Sequence, residues 1–248
     1  MTDLLWPVLQ HPEPARHDGV CVYAIDLDAS ALDQHWAVLS AEETARARRF
    51  VRRTDTAHFV RAHAALRHVL GAWCEQAPES LKFAAGAHGK PHLADTAGLR
   101  PVRFNLSHSG GIALLAISDQ YEVGIDVEVM RSVSPEIAAQ YFAPQERAVL
   151  AHCSGDAWLQ AFFRCWTSKE ALLKGEGLGL NIPLDAFEVA VDPAQPPAIL
   201  SIAPQAAIQR GWRLFDVAPA TNAAGTLAVH DPRGSLTAGH LRCRGLQL

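Results

Sequence analysis

Lysine is scarce in this chain: only Lys82, Lys90, Lys169 and Lys174 occur among 22 basic residues, so arginine carries almost all the positive charge. A net charge of −4 gives no overall pull toward nucleic acid or an anionic membrane, and neither is expected as a partner. Cysteines are few and odd in number, at 21, 74, 153, 165 and 243, widely spaced and without a CxxC pair. That pattern argues against a disulfide framework or a zinc site and for a reducing, cytoplasmic setting. No apolar run approaches the length of a membrane span, and the opening MTDLLWPVLQHPEP lacks the basic start and apolar core of a secretory signal. What remains is 248 residues, 49% hydrophobic and 19% charged, an ordinary balance for a folded protein of one large or two small domains.

Local pattern predicts the elements. VCVYAIDL at 20–27 reads as a strand, and Ser40-Ala-Glu-Glu43 has the form of a capping box opening a helix that carries Arg46, Arg48, Arg49, Arg52 and Arg53. A second helix runs from about Thr54 to Glu75, with Phe59, Ala62, Leu66, Val69, Leu70 and Trp73 at helical spacing. Residues 81–85 form a short strand, followed by the loop Gly86-Ala-His-Gly-Lys-Pro91. Strands at 102–106, 112–118 and 123–129, joined by short connections, suggest an antiparallel meander. Helices follow at 135–141, 144–151 and 156–174, and short strands at 187–191, 198–202, 213–217, 227–229 and 237–242. This order predicts an α+β fold of two similar halves, residues 1–121 and 122–248, each a small antiparallel sheet packed with helices.

Four motifs carry chemistry. In Gly124-Ile-Asp-Val-Glu128 the alternation of a strand puts Val123, Ile125, Val127 and Val129 on one face and Asp126 and Glu128 on the other. Two carboxylates that close repel unless a cation lies between them, and hard oxygen ligands suit Mg²⁺; a solvated strand face is the plain alternative. Asn105-Leu-Ser-His-Ser-Gly-Gly111 offers an anion-binding turn with His108 as phosphate donor or acid–base group, or simply a hairpin rich in Ser and Gly. The arginine run places Arg46, Arg49 and Arg53 on one side of a helix, where a phosphate monoester or only solvent would face them. Finally, Trp166, Glu170 and Lys174 stand four apart on one helical stripe, ahead of the exit Gly175-Glu-Gly-Leu-Gly-Leu180. Glu170 there is a third carboxylate and Lys174 a reach toward phosphate, or the two are a stabilising surface pair.

Taken together, GKP, FNLSHS, GIDVE and WTSKEALLKGEGLGL, in this order, resemble the 4′-phosphopantetheinyl transferase superfamily, in its long, monomeric Sfp-like type. The resemblance spans about Ser40 to Leu180. It implies a pseudo-dimer of two α+β halves with coenzyme A in the cleft between them. It also implies transfer of the phosphopantetheine arm of coenzyme A to a serine of an apo acyl or peptidyl carrier protein, releasing adenosine 3′,5′-bisphosphate. By position, Asp126, Glu128 and Glu170 would hold Mg²⁺, and Glu170 would serve as base directly or through a metal-bound water. Asp126 would count with the catalytic residues. Lys174 would stabilise charge on the pyrophosphate, and His108, with Ser107 beside it, would contact a coenzyme phosphate. Lys90 would line the nucleotide pocket; Arg46, with Arg53 on the same side, would meet the 3′-phosphate.

Two positions depart from the family pattern: Glu43 stands where some relatives carry a basic residue, and Phe59 where some carry a polar one; Arg61 is a substitute contact. The segment Arg131–Tyr141 and the apolar run Ala138–Phe142 are expected at the carrier-docking surface. A non-catalytic carrier-binding module of the same fold is the alternative function.

Overall fold

Two strands with apolar residues on both faces decide the architecture. These are β2 (Val20–Asp26) and β6 (Ile112–Ser118), and β6 is buried along its whole length. Cover on both sides is therefore required. The computed structural model describes residues 4–12, 19–29, 33–94, 101–179 and 182–247. Ahead of β2 lies β1 (Val8–Leu9); after it come α1 (Asp33–Trp36), α2 (Ala41–Ala47), the long α3 (Arg53–Cys74), the hairpin β3 (Phe83–Ala85) and β4 (Pro91–Leu93), and β5 (Arg103–Ser109). After β6 follow β7 (Val123–Val129), α4 (Pro135–Tyr141), α5 (Pro144–Leu150) and the long α6 (Gly155–Glu176). Strands β8 (Phe187–Val189), β9 (Ile199–Ile202), β10 (Trp212–Asp216), β11 (Ala223–His230) and β12 (Leu241–Leu246) complete the chain.

The fold is α+β. A five-stranded sheet, β1-β12-β2-β6-β5, lies against a three-stranded sheet, β10-β11-β7. Cys21, Tyr23, Ile25, Ala113, Leu115 and Ile117 face α3, meeting Ala62, Leu66, Val69 and Leu70. The alternate residues Val22, Ala24, Leu114 and Ala116 pack on Val123, Ile125, Val127, Leu227 and Val229 of the second sheet. Helix α6 covers the outer face of that second sheet, and a separate apolar core forms around Phe162, Leu172, Phe187 and Leu214. The order through the molecule is helix, sheet, sheet, helix. Among the described residues no helix is long and apolar enough to cross a membrane.

Three expectations fail here, each for a physical reason. The meander stops at β6. Strand β2, from about ninety residues upstream, takes one edge of β6 and β5 takes the other, so β7 pairs with β11 instead. The buried Ser118 hydroxyl accepts from the backbone N–H groups of Gln120 and Tyr121 and turns the chain out of the first sheet. The first sheet is mixed rather than antiparallel, because β12 and β1 join it in parallel to β2 and to β12 respectively; the chain's last strand thereby closes the sheet its first strands began. The arginine run is not one helix face: α2 ends at Ala47, Arg52 is extended, and α3 begins at Arg53. Like charges at helical spacing oppose continuation, and the fully buried Ala47 and the packing of Phe50 on Phe59 fold the chain back.

Candidate active site

The two sheets meet along an unusual seam. Strands β5 and β7 run alongside each other, one at the edge of each sheet, and side chains bridge them in place of a backbone ladder. Asn105 Oδ1 accepts from Ile125 N at 2.8 Å, and Ser109 Oγ accepts from Val129 N at 3.2 Å and donates to Glu128 Oε2 at 2.6 Å. Between them Ser107 Oγ donates to Asp126 Oδ1 at 2.8 Å. The polar alternate residues of FNLSHS are thus seam residues. SHS belongs to the strand, and only Gly110 and Gly111 make the turn.

Helix α6 lies on this seam because residue 124 has no side chain. A Cβ there would stand 2.0 Å from Ala171 O and 2.2 Å from Gly175 N, so only glycine lets the helix come down on β7. The close approach brings Lys174 Nζ to 2.6 Å from Asp126 Oδ1 and 2.8 Å from Ser107 Oγ. Asp126 is almost wholly buried, and its second oxygen, Oδ2, is buried without a hydrogen-bond partner. Burial pushes the Asp126 carboxyl up, against the pull of Lys174 and Ser107, and Glu128 adds repulsion. Glu170 is likewise pushed up, by burial first and then by the charges of Asp126 and Glu128. Trp166, the third member of the stripe, is a packing residue against Phe142 and Phe162, with Tyr141 at its edge.

Three neighbouring carboxylates, of which Asp126 and Glu170 are pushed up by burial and by acidic neighbours and Asp126 keeps an orphaned buried oxygen, form a donor set that fits a hard divalent cation. The set is not preassembled as a cage: among the described residues no three His, Cys, Asp or Glu side chains converge as metal ligands. Asp126 is engaged by Lys174, and Glu128 by Ser109 and, at 2.9 Å, by Arg131.

On the other face of β5, His108 points into a cavity of about 870 Å³ whose walls include Arg46, His63, Phe83 and Pro91. Its ring is open to the cavity, yet the enclosing walls and then Lys174, His63, His58 and Arg46 hold its pKa below the usual imidazole range. A neutral histidine amid cations is a site that an anion relieves. Arg46, in the last turn of α2, lies over the Phe59 ring at 5.3 Å, and His63 stacks on the same ring.

Other expected contacts are displaced. Arg53 is exposed at the start of α3 and is not a wall of the cavity. Arg61 donates to Leu27 O at 2.6 Å, a fold contact. Lys90 turns its ammonium away from the cavity that its neighbours Gly89 and Pro91 line, into the seam. Ala138 and Phe142 belong to the core rather than to an exposed docking face. Leu180, the end of the glycine-rich exit, lies outside the described residues.

Glu43 gains a reason. It completes the capping box with Ser40 and also accepts from His63 Nδ1 at 3.0 Å and from the buried Arg67 Nε at 2.7 Å. Burial opposes its ionisation, but the bonds from His63, the Ser40 backbone and Arg67 prevail and hold it at about 2. A carboxyl depressed on folding stabilises above its unfolded pKa, and that stability is lost as pH falls from about 4.5 toward 2. Glu43→Ala is expected to cost about 2–3 kcal/mol at neutral pH, from the lost cap and the orphaned Arg67. Urea titrations at pH 7 and pH 3 check this: the gap between variant and wild type narrows at the lower pH.

Asn105, Ser109 and Gly124, which assemble the seam, stand inside motifs whose roles the linear pattern does not reveal. His63 and Arg67 look like ordinary helix residues until Glu43 is placed beside them. A family described as the 4′-phosphopantetheinyl transferase superfamily matches residues 122–228, and one described as 4′-phosphopantetheinyl transferase, N-terminal, matches residues 28–120. The 4′-phosphopantetheinyl transferase HetI of Nostoc sp. is 35% identical over 233 residues, 90% of this chain and 95% of that relative. The 4′-phosphopantetheinyl transferase Sfp of Bacillus subtilis is 31% identical over 157 residues, 63% of this chain and 68% of that relative.

Proposed function

The chain belongs to the 4′-phosphopantetheinyl transferase superfamily, and from that premise we propose that it moves the phosphopantetheine arm of coenzyme A to a serine hydroxyl of an apo acyl or peptidyl carrier protein. The serine Oγ bonds to the phosphorus bearing the pantetheine arm, the pyrophosphate P–O bond breaks, and adenosine 3′,5′-bisphosphate leaves. Asp126, Glu128 and Glu170 would hold Mg²⁺, which when bound neutralises the pyrophosphate and orders its oxygens.

Glu170 takes the serine proton in this reading; its pKa, raised by burial and by its acidic neighbours, suits a base. Lys174 stabilises negative charge on the departing phosphate, and its bonds to Asp126 and Ser107 hold it at the seam until substrate arrives. His108 and Arg46 receive the anionic nucleotide end in the cavity. The observation that carries the reading is the buried Asp126 with an orphaned Oδ2, held against Lys174 beside Glu170 and bonded to Ser107 of β5, the strand whose other face puts His108 in the cavity with Arg46.

Both walls of this site come from one chain, which supports a monomeric enzyme, and the five free cysteines suit a reducing cytoplasm. Incubation with Mg²⁺, coenzyme A and a panel of apo carriers, read by mass spectrometry, tests the reading. The expected result is a gain of one phosphopantetheine arm on at least one carrier, lost on chelation with EDTA and restored by Mg²⁺. Carrier binding without any mass gain would instead identify a binding module.

A further inference from the structure

Lys90 occupies a position that its motif does not explain. An ammonium has three donors, and all three are spent inside the protein: on Gly175 O at 2.7 Å, Val123 O at 3.0 Å and Glu122 Oε2 at 3.2 Å. None is left for a ligand in the cavity that Gly89 and Pro91 wall. Its acceptors are not incidental. Gly175 follows Lys174 in the last turn of α6, where carbonyls lack helical partners and a cation is favoured by the helix dipole. Val123 begins β7, the strand of Asp126 and Glu128. Glu122 is itself held by Arg103 of β5 at 2.6 Å.

The lysine stem reaches this junction by passing the end of α6. At Gly177, which has φ +69°, an added Cβ would lie 3.2 Å from Lys90 Cδ. Only 19% of the Lys90 side chain is exposed, so its bonds form largely out of water, where each is strong. Burial lowers the pKa of the ammonium and Glu122 opposes that.

We propose that Lys90 is a positioning residue: it bolts the loop walling the nucleotide cavity to the start of β7 and the end of α6, and so keeps Lys174 in register with Asp126. The bolt couples the cavity wall to the two elements on which the transfer depends, without contacting substrate. The inference rests on the transferase reading for its kinetic effect, but its mechanical content stands apart.

The experiment compares wild type, Lys90→Met and Lys90→Arg. Lys90→Met is expected to bind coenzyme A within about twofold of wild type by calorimetry, while kcat for carrier labelling at saturating coenzyme A falls about 10- to 100-fold, the size of loss that slight misplacement of a reacting group produces. Amide hydrogen exchange at Gly175, Glu176 and Gly177 quickens about tenfold, reporting a loosened helix end. Lys90→Arg, which keeps a charged multiple donor, recovers most of kcat.

A tenfold or greater loss of coenzyme A affinity with kcat retained would show a direct ligand contact and overturn the proposal; so would unchanged exchange at 175–177. If Lys90→Met does not fold, Lys90→Gln is read by the same measures. Wild type that labels no carrier sinks the transferase reading alone, because the exchange result still decides whether the bolt exists.

Discussion

Asp126→Asn is expected to lower the rate of the proposed carrier labelling about 10²–10³-fold, the scale of removing one preorganised charge from a phosphoryl-transfer site, with the protein still folded. Asparagine has the same shape, and its Oδ1 still accepts from Lys174 Nζ and Ser107 Oγ, so the seam keeps its bonds. The charge is what disappears. Asp126 is the most buried of the three carboxylates, and its unpartnered Oδ2 is the oxygen free to take a cation. Neutralising it also relieves Glu170, whose charged form Asp126 disfavours, so thermal stability is expected to be unchanged or higher. Lys174→Ala produces a loss of similar size, and the double variant is far from additive, because the pair acts as a unit. Mass-resolved time courses with one carrier measure all three. An Asp126→Asn enzyme that labels at the wild-type rate would remove Asp126 from the mechanism.

The largest stability effect is expected at a pair that never touches substrate. Lys169, four residues on from Cys165 in α6, is completely buried and bonds Leu184 O at 2.7 Å, Phe187 O at 2.5 Å and Glu146 Oε1 at 2.8 Å. Glu146 in turn accepts from Ala143 N at 2.9 Å and Val189 N at 2.8 Å, so one ion pair ties α5, α6 and β8 together. Removing one partner leaves the other charged, buried and unpaired, which costs about 3–5 kcal/mol. For Lys169→Met this corresponds to a Tm lower by roughly 6–20 °C at about 2–4 °C per kcal/mol. Glu146→Ala is expected to cost at least as much, since two backbone donors lose their acceptor as well. The double variant Glu146→Leu/Lys169→Met recovers only part of the loss, because those backbone groups stay unsatisfied. Urea denaturation with a tryptophan readout checks the series; a Lys169→Met shift below 1 kcal/mol would rule out the buried-pair account.

Much of the candidate site's geometry was legible in the chain. Strand alternation in GIDVE separates the apolar side from the carboxylates, and the two faces point as that alternation requires. Helical spacing places Glu170 and Lys174 on one stripe of α6. Opposite faces for Ser107 and His108 follow from the same period of two: one bonds Asp126 and the other enters the cavity. Periodicity does not say what stands opposite a face. Nothing near Ser107 announces Asp126 as its partner, and nothing near Glu43 announces Arg67, because these pairs are brought together by packing across 19 and 24 residues. Lys90 belongs with these: its loop reads locally as a turn, the family resemblance implies a pocket contact, and only the folded chain shows its three donors bonded within the protein.

The sequence by itself determined the α+β class, the long helices, the acidic strand and the stripe of Glu170 and Lys174, because each depends on local backbone geometry and a repeating pattern. The tertiary structure alone decided the sheet order, the side-chain seam between β5 and β7, and the descent of α6 onto Gly124. Edge pairing is a competition among distant strands. Strand β2 won the edge of β6 that a meander assigns to β7, and that displacement left β7 to pair with β11 and to hold Asp126 against Lys174.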